Sequence, residues 1–82
     1  MARHEVVSPI PGTFYRRPDP QSEPFALEGQ DVGADDTVCL VEVMKNFHPV
    51  TAGVAGTVVE FLAQDEDIVS AGEAVLVIED GA

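Results

Sequence analysis

The 82-residue sequence has a single cysteine, no tryptophan and only four basic residues. Because Cys39 is alone, an intramolecular disulfide and a multi-cysteine metal site are both excluded. Cys39 lies in the apolar run 38–41, which predicts a buried small hydrophobe rather than a nucleophile. No apolar run approaches the roughly 20 residues that span a bilayer, and the N-terminus lacks an apolar signal region. We therefore expect a reduced, cytoplasmic location and no membrane partner.

Acidic residues greatly outnumber basic residues in the sequence. Fifteen acidic and four basic residues give a formal charge of −11. Nucleic acids and anionic membranes select basic surfaces, so the composition argues against both as partners. It favours solubility and a partner with a basic face. No nucleophile–base set, metal cluster or phosphate loop is present, so we do not expect an enzyme in its own right.

The chain also lacks a helical pattern, because no segment keeps an amphipathic period of 3.6 residues over helical length. Residues rich in Val, Thr and Ile predict strands near 5–8, 38–43, 57–61 and 74–78. Glycines separate these segments at turn-like intervals. At this length a single core is only just sufficient, and we expect it to be built from Val, Ile, Leu, Ala and the four Phe. The fold class is therefore all-β, as a two-sheet sandwich or flattened barrel.

The two halves of the sequence resemble each other. Gly12-Thr13 in the first half matches Gly56-Thr57 in the second, 44 residues later, whereas residues 37–42 match residues 74–79 only 37 residues later. The first half therefore has seven additional residues, which fall in the proline-rich segment 15–25. We interpret residues 1–82 as one domain, with a three-stranded unit, a hairpin and a second three-stranded unit packed against the first.

Lys45 lies at the junction of the halves. It follows the last strand of the first half, and residues 47–50 open the second. A two-residue turn would place Met44 and Lys45 at a hairpin tip. Acylation of a lysine requires an accessible amine with room for an enzyme, and a protruding turn provides both. The position alone is also compatible with an ordinary exposed lysine.

Several motifs together resemble one family. They are Glu42-Val43-Met44-Lys45-Asn46, the flanking residues 39–41 and 56–58, and Gly12-Thr13-Phe14-Tyr15-Arg16 followed by Pro18 and Pro20. The chain resembles the biotinyl (biotin/lipoyl attachment) domains, in particular those of acetyl-CoA carboxylase carriers. The resemblance implies a barrel-sandwich hybrid: a flattened β-barrel of two four-stranded antiparallel sheets with a pseudo-twofold repeat. It also implies a thumb-like insertion at about 16–25 and an attachment hairpin at about 43–47.

The resemblance implies a non-catalytic carrier function. Biotin on Lys45 would accept a carboxyl group from bicarbonate at a biotin carboxylase subunit. It would deliver that group to an acyl-CoA at a carboxyltransferase subunit, forming malonyl-CoA for fatty acid synthesis. Met44 would help a biotin protein ligase to recognise the turn, and Glu42 would limit modification by other ligases. Val43 stands where the family usually has Ala.

Two departures and two alternatives accompany this interpretation. Asn46 replaces the usual Met or Leu, which predicts slower modification or a dedicated ligase. Arg17 stands where relatives often have a small hydroxyl residue just before the first proline of the thumb. A lipoyl carrier has a similar fold, but it usually has Asp where this chain has Met44. An unmodified interaction module is the third hypothesis. Acetyl-CoA is the expected acceptor, with other acyl-CoAs, pyruvate or urea as the alternatives.

Overall fold

The computed structural model describes residues 2–80, and all regular structure in them is β-strand. No helix in this range is long and apolar enough to cross a membrane. The strands are β1 (Arg3–Val7), β2 (Gly12–Tyr15), β3 (Asp31–Val32), β4 (Thr37–Val43), β5 (Asn46–Thr51), β6 (Gly56–Phe61), β7 (Ile68–Val69) and β8 (Ala74–Glu79).

The eight strands form two four-stranded antiparallel sheets. Sheet A has the order β1-β8-β6-β3 and sheet B the order β5-β4-β2-β7. This arrangement confirms the flattened two-sheet fold expected from the sequence. The two three-stranded units are β1–β3 and β6–β8, joined by the β4–β5 hairpin. Strands β3 and β7, with two residues each and no alternation, were not among the strand segments predicted from the sequence. Each sheet contains two strands from each half of the chain, so the halves interleave rather than simply pack together.

The pseudo-twofold repeat is confirmed by the backbone hydrogen bonds. The Phe14 N–H donates to the Asp67 carbonyl oxygen at 2.8 Å, and the Val58 N–H donates to the Gln30 carbonyl oxygen at 2.9 Å. The two bonds are equivalent in the repeat, because Phe14 corresponds to Val58 at the offset of 44 residues and Gln30 corresponds to Asp67 at the offset of 37. Each bond joins one half of the chain to the other. The repeat is therefore present in the hydrogen bonding as well as in the sequence.

The core lies between the sheets and consists almost entirely of small and branched apolar side chains. Phe14 is fully buried, but Phe61 is only partly buried and Phe47 is 52% exposed, so the expectation that all four Phe build the core was wrong. Cys39 is completely buried, as predicted, and burial raises the pKa of its thiol to about 12. The buried cluster comprises Val6, Phe14, Ala26, Val32, Val38, Cys39, Val41, Val50, Ala52, Val58, Ala63, Val69, Val75, Leu76 and Ile78.

The connection between β2 and β3, residues 16–30, is longer than its counterpart between β6 and β7 and contains the thumb-like insertion expected at about 16–25. Its base is held by Asp65: one carboxylate oxygen accepts a hydrogen bond from the Arg16 N–H at 2.6 Å, and the other lies 3.4 Å from Arg17 Nε. The Arg16 guanidinium carbon lies 3.9 Å from the centre of the Phe61 ring, a cation–π contact. The insertion is therefore attached to the barrel at its base.

Two glycines mark where the strands approach most closely. A Cβ on Gly12 would collide with the carbonyl oxygen of Glu42, and a Cβ on Gly56 would collide with the carbonyl oxygen of Glu79. Gly12 and Gly56 are equivalent positions of the repeat, and so are Glu42 and Glu79. Both glycines are thus required for space.

We expect Gly12→Ala and Gly56→Ala each to lower the free energy of unfolding by about 1–3 kcal/mol, because the added methyl group overpacks a backbone contact. Urea denaturation monitored by circular dichroism measures this change. Gly33→Ala is the control, since its Cβ would make only ordinary contacts with the Asp36 carboxylate. Equal stability of Gly33→Ala and Gly56→Ala would contradict the close approach.

Candidate functional site

The hairpin that joins β4 to β5 places two residues beyond the last paired position. Val43 pairs with Asn46, so Met44 and Lys45 form a two-residue turn. Both have positive φ, 50° for Met44 and 68° for Lys45. This is the combination that a type I′ turn requires, and that turn usually contains Asn and Gly. Neither Met nor Lys favours the left-handed region, so the turn stores backbone strain at this point.

The turn presents its side chains to solvent. Met44 is 88% exposed, and Lys45 is exposed as well. Among residues 2–80, the side chain of Lys45 makes no ion pair with a carboxylate. The complete sequence contains no other lysine. This count is a signal that the motifs themselves do not contain, and it leaves Lys45 as the only side-chain primary amine available for acylation.

The two residues before the turn face opposite sides of sheet B. Val43 packs against the core, which anchors the base of the hairpin. Glu42 lies on the outer face, where its Oε1 accepts a 3.4 Å hydrogen bond from the Tyr15 hydroxyl. The Tyr15 ring lies 6.1 Å from that of Phe47, the residue paired with Glu42 across the hairpin. The four predicted site residues therefore divide into an exposed pair at the tip and a supporting pair below it.

Tyr15 has an altered acidity. Desolvation raises the pKa of its hydroxyl above the ordinary value of 10.0, and the charge and hydrogen bond of the Glu42 carboxylate raise it further. Desolvation disfavours the charged phenolate, and the neighbouring carboxylate repels its negative charge. Tyr15 and Phe47 were not among the predicted site residues. Their cross-strand proximity to Glu42 depends on strand register, which the sequence alone does not supply.

A groove of about 460 Å³ separates the outer face of sheet B from the thumb-like insertion. Arg17, which the sequence places at the start of the insertion, lies in its wall and donates a 3.4 Å hydrogen bond to the Ser22 carbonyl oxygen. The Ser22 hydroxyl in turn lowers the pKa of Asp19 by donating to its carboxylate. The groove is lined by Tyr15, Arg17, Pro18, Asp19, Pro20, Phe47, Asp65 and Glu66.

The histidines lie outside this site. His4 Nε2 is 2.6 Å from an Asp80 carboxylate oxygen, which ties the start of β1 to the residue after β8. His48 is exposed on β5. Within residues 2–80, no three His, Cys, Asp or Glu side chains are grouped so that they could hold a metal ion. Within the described residues, the hairpin is therefore the part best suited to a chemical reaction, because it carries an exposed amine on a rigid support.

Comparison with known proteins agrees with this geometry. A biotin/lipoyl family model, described as "Biotin-requiring enzyme", matches residues 4–78. The chain belongs to the biotin/lipoyl family. The biotin carboxyl carrier protein of acetyl-CoA carboxylase from Pyropia yezoensis is 39% identical to this biotin/lipoyl domain over 74 residues, which cover 90% of this chain and 47% of that protein. The Haemophilus influenzae protein of the same name is 40% identical over 79 residues, 96% of this chain and 51% of that protein.

Solved structures show the same fold. The Kluyveromyces lactis urea carboxylase matches 96% of this biotin/lipoyl domain with a TM-score of 0.80 and 32% identity, over 6% of that chain. A single-chain, multi-domain long-chain acyl-CoA carboxylase matches 98% of this chain with a TM-score of 0.80 and 24% identity, over 7% of its own length, and supports the fold alone. The present chain spans about half the length of the carrier proteins that it matches.

The strain in the turn is testable. Met44→Asn with Lys45→Gly supplies the residues that a type I′ turn prefers, so we expect this double variant to raise the free energy of unfolding by about 1 kcal/mol. Asn46→Gly, the control, lies in a strand and is expected to lower it by about 0.5–1 kcal/mol. Urea denaturation measures both. A double variant no more stable than the parent would show that the turn is unstrained.

The acidity of Tyr15 is also testable, because it is the only tyrosine and tryptophan is absent. The near-ultraviolet absorbance of tyrosinate should report a pKa above 10.0 in the folded domain. The pKa of Tyr15 is higher in the folded domain than in the unfolded chain. Its contribution to the free energy of unfolding is therefore complete below the unfolded pKa and is lost as the pH rises through the folded pKa.

Glu42→Gln should move the tyrosinate midpoint back toward 10.0, because the variant removes the neighbouring negative charge. Glu5→Gln, on the other sheet, is the matched control and should leave the midpoint unchanged. Circular dichroism at each pH verifies that the domain is folded. A midpoint that is the same in the parent and in Glu42→Gln would rule out the contact between the two side chains.

Proposed function

We propose that this domain is the biotin carrier of an acetyl-CoA carboxylase and that biotin is attached through an amide bond to Lys45. The observation that carries the proposal is the position of the only lysine of the chain, exposed at the tip of a strained two-residue turn. The family match and the carrier names of its relatives support this assignment. The domain itself performs no catalysis.

The residues of the hairpin fit an attached biotin. Acylation requires the Lys45 amine nitrogen to form a bond with the carboxyl carbon of activated biotin, while the amine loses a proton and the activating group leaves with its electron pair. The turn gives an enzyme access to the amine. Val43 fixes the hairpin to the core, so the arm begins from a rigid base. When bound, biotin supplies a ureido nitrogen that carries a carboxyl group.

Three protein partners follow from this function: a biotin protein ligase, a biotin carboxylase subunit and a carboxyltransferase subunit. The arm on Lys45 serves the last two in turn. Tethering makes each encounter effectively intramolecular, at roughly millimolar local concentration for a short flexible link. The charge of −11 favours partners with basic surfaces. A cytoplasmic location, without nucleic acid or membrane partners, is part of the same proposal.

Acetyl-CoA is the proposed acyl acceptor because the carrier relatives named above belong to acetyl-CoA carboxylase. The insertion at about 16–25, in the long connection between β2 and β3, also resembles the thumb of such carriers. The family also includes lipoyl domains. Met44 favours biotin, since the lipoyl domains usually have Asp before the modified lysine. Asn46 is exposed on β5 beside the turn, where a ligase that modifies Lys45 would meet it.

The test is the intact mass of the chain after co-expression with a biotin protein ligase and excess biotin. We expect a single biotinyl adduct on the parent and none on Lys45→Ala. Because the sequence has no other lysine, the control removes the only side-chain amine.

An adduct that persists in Lys45→Ala would place the modification elsewhere. An unmodified parent would contradict the biotin assignment, and the same assay with a lipoyl ligase would then test the lipoyl alternative. Modification by neither ligase would favour the unmodified interaction module.

A further inference from the structure

The outer face of sheet B is unusually apolar. Side chains of cross-strand partners lie on the same face of a sheet, so the residues that share a face with Glu42 can be read from the strand register. Phe47 pairs with Glu42, and Ile68 pairs with Thr13. Ile68 is 77% exposed. The outer face comprises Thr13, Tyr15, Leu40, Glu42, Phe47, Pro49 and Ile68.

Sheet A provides an internal comparison, because the pseudo-twofold repeat assigns an equivalent to six of these seven positions; the position equivalent to Tyr15 falls at the bulge of β6. Its outer face contains an ion pair, with Arg3 Nε 3.4 Å from Glu79 Oε2, and a 2.6 Å hydrogen bond from the Thr57 hydroxyl to Asp31. The equivalent pairs, with the sheet B residue first, are Phe47 and Arg3, Pro49 and Glu5, Ile68 and Asp31, Thr13 and Thr57, Leu40 and Val77, and Glu42 and Glu79.

The two faces agree at three positions and differ at three. Threonine, glutamate and an aliphatic residue occupy equivalent places in both sheets. The charged residues Arg3, Glu5 and Asp31 of sheet A correspond to apolar residues in sheet B. Since sheet A accepts charge at the equivalent positions, strand pairing in this fold does not require these three positions to be apolar. An exposed apolar surface that folding does not require indicates a binding surface.

The occupant follows from the position of this face. It continues directly from the hairpin, because Phe47 lies two residues after Lys45 and pairs with Glu42 below the turn. A ligase that acylates Lys45 must bring the amine itself into its active site, so it has to contact the protein around the turn. The subunits that receive the attached arm are under no such requirement, since the arm extends to them.

Charge decides between a ligase and a second copy of this chain. Carboxylates lie within and beside the face: Glu42 at its centre, and Asp19, Asp65 and Glu66 along the adjoining groove. Two copies, each with a charge of −11, would bring these carboxylates together, which is unfavourable. A partner with an apolar strip flanked by Lys or Arg side chains is complementary.

We propose that the outer face of sheet B is the docking surface for the ligase that acylates Lys45, with Phe47 and Ile68 as its apolar anchors. This inference rests on the proposed function and adds the surface by which the ligase selects the domain. Phe47 lies on one edge strand and Ile68 on the other, so the two anchors span the width of the face. A few large apolar side chains of this kind carry most of the binding free energy of an interface. Met44, at the tip, extends the apolar surface to the turn itself.

The test transfers the sheet A residues to sheet B. The double variant Phe47→Arg/Ile68→Asp keeps the net charge unchanged and reproduces side chains that the equivalent positions already accept. In steady-state biotinylation of the purified domain by a biotin protein ligase, we expect KM for the domain to rise about tenfold or more while kcat stays near the parent value, since docking is lost and chemistry is not.

The matched control is Arg3→Gln/Asp31→Asn, which changes the equivalent positions of sheet A, also without altering the net charge. We expect its KM to equal that of the parent. Ile68→Asp alone is the second variant. Ile68 is exposed on the short edge strand β7, so its replacement disturbs the packing of the domain least. Circular dichroism and thermal melting verify that each variant is folded.

Each outcome is decisive. An unchanged KM for the sheet B variants, or an equal rise for the sheet A control, would overturn the proposal. So would sedimentation showing that the parent is a dimer and Phe47→Arg/Ile68→Asp a monomer, because the face would then be covered by a second copy. Absence of any adduct on the parent is a different result, which refutes the biotin attachment itself.

Discussion

Each sheet takes two strands from the first half of the chain and two from the second, and the hairpin, the groove and both outer faces depend on this exchange. Backbone hydrogen bonds such as that from Phe14 to Asp67 join the halves throughout. Neither half can therefore satisfy its own backbone groups, and the two must fold together. The close approach at Gly12 and Gly56 fixes how the strands meet on both sides of the molecule.

The interleaved barrel provides a rigid support for a strained element. The β4–β5 hairpin is the only covalent link between the two halves, and the surrounding strands hold its base in place. Met44 and Lys45 adopt left-handed conformations that an isolated peptide would avoid. Strain of this kind persists only where the rest of the structure determines the local geometry, and such positions concentrate at functional sites.

The repeat also allows function to be separated from folding. At six equivalent positions the two outer faces share the same strand pairing, so differences between the side chains there reflect something other than that pairing. The backbone carbonyl groups of Glu42 and Glu79 face the two close-packed glycines, so the backbone approach is the same in both halves. Phe47 and Arg3 differ at equivalent positions. The fold therefore does not determine the side chain there, and the side chain can serve recognition.

The sequence by itself determined the fold class, the repeat and its seven-residue insertion, because strand-forming composition and self-similarity are local properties that need no partner. It also identified Lys45 and Met44 as a turn pair. Only the tertiary structure decided the short strands β3 and β7, the exchange of strands between halves and the side on which each residue lies. Those features depend on register, since a shift of one residue reverses every side chain. The association of Tyr15, Glu42 and Phe47, and the contrast between the two outer faces, exist only once that register is set.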